Sequence, residues 1–131
     1  MVKKKVLIKD CEILPVLTVK LEDDCVTVAK KLHDFQERRI FVVNDKKMPV
    51  GIISIVDIND RLVARGKNPN KTKAKDIMTY PVNIVVDLND SADEVLKKMV
   101  RKDNYYIPVT DKGVIKGLIT YAGIMKKLSP K

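Results

Sequence analysis

Two short stretches of the chain contain residue types that could bind a phosphorylated sugar. The first is Gly51-Ile52-Ile53-Ser54-Ile55-Val56-Asp57, and it recurs sixty-six positions later as Gly117-Leu118-Ile119-Thr120-Tyr121-Ala122-Gly123. In each copy a glycine opens an apolar run of β-forming residues, a hydroxyl residue closes the run, and a helical pattern follows. Only the first copy has an aspartate three residues after the hydroxyl residue.

A strand that leads into a helix favours anions, because the first N–H groups of the helix lack partners and the helix dipole is positive there. Ser54 could hydrogen-bond a phosphate, and Asp57 could accept two hydrogen bonds from a ribose diol. The structural alternative is that both residues only cap the helix, a position that both types favour. Nucleotide binding is the hypothesis that the surrounding pattern favours.

Each motif closes a predicted β-α-β-β-α unit. Asp23 and Asp24 provide a helix N-cap in the first unit, while Ser91 and Glu94 form a capping box in the second. The predicted strands are residues 15–19, 40–43, 50–54, 81–86, 106–110 and 114–120. The predicted helices are residues 24–37, 57–65, 74–79 and those that begin near 91 and 123.

The two halves match element by element, which indicates an internal duplication. Val28 pairs with Val95, for example, and Ile40 pairs with Ile107. A break at residues 66–70, rich in glycine, proline and asparagine, separates the halves. We therefore expect repeats at residues 1–66 and 67–131, and we expect them to share one core because each is small.

Composition and charge restrict the function further. The chain has 131 residues and a net charge of +9, but lysines supply 21 of its 26 basic residues and tryptophan is absent. The scarcity of aromatic stacking platforms disfavours a nucleic-acid site, which remains the alternative interpretation.

No apolar run approaches the ~20 residues of a membrane-spanning helix. The two cysteines do not have the spacing of a metal site or of a disulfide framework. This indicates a cytoplasmic protein with reduced thiols and no metal site.

The order of these motifs resembles the CBS (cystathionine-β-synthase-type) domain. The resemblance is carried by the Lys-Asp-Ile-Met-Thr lead-in at 75–79, the capped helix, the Ile-Pro-Val strand at 107–109, and the closing motif described above. Two such domains in tandem form a Bateman module. The resemblance implies a mixed α+β fold, with two repeats packed through their sheets. It also implies a non-enzymatic sensor that binds AMP, ADP, ATP or a related adenosine compound in clefts between the repeats.

The resemblance also implies roles for particular residues. The base would lie near Thr18 and the start of the second strand, the ribose would bind the motif aspartate, and the phosphate would bind the motif hydroxyl. In the first repeat the implied ligand-binding set is complete: Thr18, Arg39, Ile40, Phe41, Ser54 and Asp57.

The second repeat departs from this pattern. Val85 replaces the threonine and Gly123 replaces the aspartate, so we expect a second, weaker cleft. Its remaining residues are Ile84, Tyr106, Ile107 and Thr120.

No catalytic residues emerge, because the single His33 has no nucleophile or acidic partner at a telling spacing. We expect no cofactor other than the regulatory nucleotide. The expected partners are a second copy of the chain, through helices of both repeats, and an unknown regulated protein, with no membrane partner. The apolar stripe that suggests this dimer consists of Ala92, Val95, Leu96, Met99 and Val100.

Overall fold

A computed structural model describes residues 5–129, which divide into two compact units. The first unit consists of residues 16–83. The second unit combines the described residues up to Pro15 with those from Ile84 onward. Among the described residues, no helix is both long and apolar enough to cross a membrane.

The first unit contains a three-stranded sheet in the order β1-β2-β3. Strand β1 runs parallel to β2, and β2 runs antiparallel to β3. Helix α1 begins after Asp24, whose side chain accepts the Thr27 N–H at 2.8 Å. The elements are β1 (Thr18–Lys20), α1 (Cys25–Asp34), β2 (Arg39–Val43), β3 (Pro49–Ser54), α2 (Ile55–Asp57), its π-helical continuation (Ile58–Val63) and α3 (Ala74–Ile77).

The second unit repeats this plan with the strand order β4-β5-β6. Ser91 caps its long helix by accepting the Glu94 N–H at 3.4 Å, which is one half of the predicted capping box. The elements are a 3-10 turn (Ile8–Asp10), β4 (Val86–Asp87), α4 (Ala92–Lys102), β5 (Tyr106–Asp111), β6 (Val114–Thr120) and α5 (Tyr121–Leu128). The predicted mixed α+β fold is therefore confirmed.

The opening strands are shorter than the predicted 15–19 and 81–86. In the first unit the Phe41 N–H donates to the Leu17 carbonyl at 3.1 Å, which extends the contact beyond Thr18. Pro108 occupies the position of Phe41 in the second unit and has no N–H to donate. Strand β4 is consequently reduced to two residues. The prediction followed β propensity, but the partner strand sets the length of the ladder.

Most of the buried apolar residues form two clusters, one in each unit, whereas we expected a single shared core. In the first unit Val19, Val28, Ile40, Ile53 and Ile77 lie at the centre. The corresponding cluster of the second unit includes Ile8, Val86, Val95, Ile107 and Ile124.

The lead-in segment of each sequence repeat, residues 8–14 in the first and residues 74–79 in the second, packs on the hairpin of the other repeat. Thr79 and Ile52 exchange backbone hydrogen bonds of 2.8 and 2.9 Å, and Leu14 and Leu118 do the same at 2.9 Å. The motif glycines allow this approach, because a Cβ on Gly51 would overlap Met78 and one on Gly117 would overlap the backbone of Leu14. The compact units and the predicted repeats at 1–66 and 67–131 therefore divide the chain differently.

Candidate functional site

The sheet of the first unit gathers the residues of the predicted first site. Arg39 lies opposite Ser54 in the β2–β3 pair, and Thr18 lies opposite Phe41 in the β1–β2 pair. Ile40 and Phe41 are fully buried, so only their backbone could meet a ligand. The structure thus places the hydroxyl and carboxylate of the motif beside the start of β2.

Ser54 and Asp57 form a reciprocal capping box at the start of α2. The Asp57 N–H donates to Ser54 Oγ at 3.1 Å, and the Ser54 N–H donates to Asp57 Oδ2 at 2.9 Å. The Ser54 hydroxyl also donates to Asp57 Oδ2 at 3.2 Å. The structural role considered for this pair is therefore present, and such a cap is worth about 1 kcal/mol.

The second oxygen of the Asp57 carboxylate has partners from elsewhere in the first unit. The Thr79 hydroxyl donates to Asp57 Oδ1 at 3.1 Å, and Arg61 Nε lies 3.7 Å from the same oxygen. Arg61 Nη1 also donates to the carbonyl of Met78 at 2.8 Å. The Asp57 side chain is only 12% exposed, so these groups surround it closely.

Sequence reasoning missed Arg61 and Thr79. A local signal existed for Arg61, because an acidic and a basic residue four positions apart meet on one helix face. No local pattern connects Thr79 to an aspartate that lies twenty-two residues earlier. A further missed residue is Lys31, whose Nζ donates to the Thr18 carbonyl at 3.0 Å.

The corresponding place in the second unit has the same backbone arrangement with different chemistry. Tyr106 lies opposite Thr120, and the Gly123 N–H donates to Thr120 Oγ1 at 3.1 Å. Gly123 has no carboxylate to complete the capping box. The β4–β5 register puts Val85, one residue before the strand, at the position that Thr18 occupies in the first unit.

Aromatic and apolar side chains dominate this part of the second unit. The rings of Tyr105 and Tyr121 pack edge to face, with centroids 5.7 Å apart. A hydrogen bond with Asp103 raises the pKa of Tyr105. Ile84 and Ile107 are buried and therefore offer only backbone groups to a ligand.

Metal and thiol chemistry find no support in the part of the chain that the structure describes. No three His, Cys, Asp or Glu side chains within residues 5–129 lie close enough to hold a metal ion. Cys11 and Cys25 are buried free thiols. Burial, with the Asp76 and Asp24 charges, raises the pKa of Cys25 to about 11, which disfavours the reactive thiolate.

Curated relatives share part of their length with this chain. An uncharacterized protein of Methanopyrus kandleri is 33% identical over 112 residues, covering 85% of this chain and 57% of the relative. The CBS domain-containing protein CBSCBSPB1 of Arabidopsis thaliana is 36% identical over 98 residues, covering 74% of this chain and 18% of that protein. The chain thus spans little more than half of the first relative and less than a fifth of the second.

Solved structures support the same family. The CBS domain of a CBS domain containing membrane protein from Sphaerobacter thermophilus is 27% identical, with a TM-score of 0.72 over 97% of this chain and 90% of the other. An uncharacterized conserved protein from Pyrococcus horikoshii, 24% identical, has the same fold with a TM-score of 0.72 over 99% and 97%. The CBS domain family model matches residues 8–64 and again residues 74–130. The chain therefore belongs to the CBS domain family and contains two consecutive copies of that domain.

Proposed function

We propose that this tandem CBS module binds an adenosine-containing nucleotide at the surface formed by Thr18, the start of β2, Ser54 and Asp57. Tandem CBS domains are in general regulatory modules, and ligand binding would make this one a sensor. The observation that supports the proposal is the pairing of a hydroxyl and a carboxylate beside the start of β2. Only the first of the two equivalent positions has both groups.

Ligand binding at Asp57 would exchange existing hydrogen bonds for new ones. Oδ2 is held by the capping box, whereas the partners of Oδ1 are two side chains that can rotate away. A ribose diol would therefore bind at Oδ1 and leave the start of α2 intact. Each bond to a charged acceptor is worth roughly 1.5–3 kcal/mol, which is enough to affect affinity measurably.

The first experiment is a calorimetric titration of the chain with AMP, ADP, ATP, NAD and S-adenosylmethionine. We expect Asp57→Asn to weaken the tightest of these by about tenfold or more, because the neutral amide is a poorer acceptor for ribose hydroxyls. Asp60→Asn is the matched control, since Asp60 is exposed on the same helical segment and hydrogen-bonds only locally, with Asn59.

Two results would contradict the proposal. One is unchanged affinity in Asp57→Asn, and the other is the absence of binding by every adenosine compound. Titration at two salt concentrations tests the alternative of a basic nucleic-acid module, because polyanion binding to lysines weakens steeply with salt. A circular dichroism spectrum of each variant shows whether the fold is retained.

A further inference from the structure

The Asp57 carboxylate is connected to the lead-in segment, which we define as residues 74–79. Thr79 in that segment donates its hydroxyl to Oδ1 at 3.1 Å. Arg61 lies 3.7 Å from the same oxygen and donates to the carbonyls of Met78 at 2.8 Å and Ile77 at 3.4 Å. These carbonyls belong to the last residue of the short helix α3 and to the residue after it, where carbonyl groups lack helical partners. One side chain therefore bridges the candidate site and the end of the lead-in helix.

The second unit has the same backbone pairing of a lead-in segment but no such polar cluster among its described residues. Its lead-in pairs through Leu14 and Leu118 with the same backbone bonds that join Thr79 and Ile52. Leu14 thus occupies the position of Thr79, and Gly123 occupies that of Asp57. Lys127 takes the place of Arg61, seven residues after the capping hydroxyl. The polar cluster is therefore a feature of the first unit alone, where the complete ligand motif also lies.

We propose that Arg61 and Thr79 transmit occupancy of the Asp57 site to the lead-in segment. This inference rests on the proposed nucleotide binding. A ribose that donates two hydroxyls to Asp57 must compete for Oδ1, because the side chain is 12% exposed and Thr79 and Arg61 already approach that oxygen.

Displacement of these two groups has a defined consequence. Thr79 loses its side-chain anchor and keeps only its backbone pair with Ile52. Arg61, whose side chain is 42% exposed, loses its anion and is free to leave the carbonyls of Ile77 and Met78. Ligand binding therefore loosens the lead-in segment. Arg61 and Thr79 are positioning residues in this scheme, since their effect passes through Asp57.

The competition also predicts an effect on affinity. Thr79→Val keeps the shape of the side chain but removes the hydroxyl that competes with the ribose. We expect this variant to bind AMP about threefold to tenfold more tightly than the wild type, in line with the net value of one hydrogen bond. A residue with a purely structural role would leave the affinity unchanged or lower it.

The test is amide hydrogen exchange at Met78 and Thr79, whose N–H groups bond Ala74 and Ile52 in the closed arrangement. Without ligand, Arg61→Gln should speed exchange at these amides about fivefold or more. The matched control, Lys127→Gln, should leave the Leu14 and Leu118 amides unchanged. In the wild type AMP should speed exchange at Met78 and Thr79, and in Arg61→Gln it should add little.

The outcomes separate this inference from the proposed function. Unchanged exchange in ligand-free Arg61→Gln would overturn the bridge between Asp57 and the lead-in segment. AMP binding that slows or does not affect the Met78 and Thr79 amides would overturn the transmission while leaving nucleotide binding intact. If AMP does not bind the wild type, the nucleotide assignment and the transmission both fail. The comparison of ligand-free Arg61→Gln with the ligand-free wild type still decides whether the cluster holds the lead-in segment.

Discussion

At the scale of single residues, the Asp57 carboxylate divides two roles between its two oxygen atoms. Oδ2 completes the cap of α2, and Oδ1 accepts from the Thr79 hydroxyl near the Arg61 guanidinium. In the proposed binding, the ligand competes with Thr79 and Arg61 for Oδ1 only, so it can bind without uncapping the helix. Both proposals made above follow from this division of one side chain.

Glu22 is a second charged residue whose environment gives a testable outcome. Its carboxylate contacts Lys73 at 2.5 Å and Lys75 at 2.7 Å, so it ties the turn after β1 to the lead-in segment. Hydrogen bonds from Lys73 and then Lys75 lower the pKa of Glu22 from 4.5 to about 2. A lowered folded-state pKa contributes stability above pH ~4.5, and this contribution is lost as the pH falls towards 2.

We therefore expect Glu22→Gln to flatten the loss of stability between pH 4.5 and 2. The measurement is the urea midpoint of unfolding at pH 7, 4.5, 3 and 2.5, with Glu37→Gln as an exposed control. The difference between Glu22→Gln and wild type at pH 7 should shrink in high salt, because Glu22 is exposed and solvent screens the pair. If the urea midpoints of wild type and Glu22→Gln fall identically below pH 4.5, the ion pairs of Glu22 contribute nothing to stability.

At the scale of elements, the two helices that follow the motifs begin alike and continue differently. Ser54 and Thr120 both cap through their hydroxyl oxygen, but only α2 has the reciprocal carboxylate. After α2 the chain takes π-helical turns, and the Ala64 N–H reaches the Asn59 carbonyl at 2.8 Å. Helix α5 stays α-helical over Tyr121–Leu128. The closing helix therefore differs between the two units in its cap and in its helical type.

This difference predicts one strong adenosine site per chain. Gly123→Asp combined with Val85→Thr should restore both missing groups, and we expect the stoichiometry to rise from near one towards two. A Cβ on Gly123 would lie 3.2 Å from Thr120 Oγ1, so the hydroxyl must shift by a few tenths of an ångström. The matched control is Gly123→Asn with Val85→Thr, which has a similar shape and no charge. Two equally tight sites in the wild type would refute the asymmetry.

At the scale of the whole molecule, sequence duplication and compact units do not coincide. The family match covers residues 8–64 and 74–130, whereas the compact units are residues 16–83 and the other described residues. Each lead-in segment belongs to the unit built from the other repeat. The proposed transmission to residues 74–79 therefore takes place within the unit that holds the complete motif.

We also propose that the chain forms a homodimer through α4. Most of the predicted apolar stripe is buried within the chain, since Ala92, Val95 and Met99 lie in the core of the second unit. Leu96 and Val100 line a shallow surface depression, and Val100 is 58% exposed. The first turn of α4 carries acidic residues and the last turn carries basic ones. Two antiparallel copies of this helix would therefore place opposite charges beside an apolar centre.

The dimer is tested by sedimentation across the micromolar range. Val100→Glu should weaken association by about tenfold or more, because it puts a charge at the apolar centre of the contact. Lys112→Gln changes the net charge by the same amount in an exposed turn and should have no effect. A wild-type chain that stays monomeric throughout the range, with and without AMP, would contradict this arrangement.

The sequence by itself determined the family, the duplication, the helix caps at Asp24 and Ser91, and the asymmetry between the two motifs. These features depend on local patterns: apolar periodicity, capping residues and the spacing of Ser54 to Asp57 and of Thr120 to Gly123. Local patterns could not give the strand lengths, because Pro108 acts through a partner strand that lies far away in sequence.

Only the tertiary structure decided which groups meet Asp57 and which lead-in segment belongs to which unit. Thr79 reaches Asp57 because residues 74–79 fold back onto β3, where Met78 covers Gly51 and Thr79 pairs with Ile52. Contacts between segments that are distant in the sequence leave no periodic signal in either segment. The physical reason is that such contacts depend on burial and backbone pairing of the folded chain, which no single segment encodes.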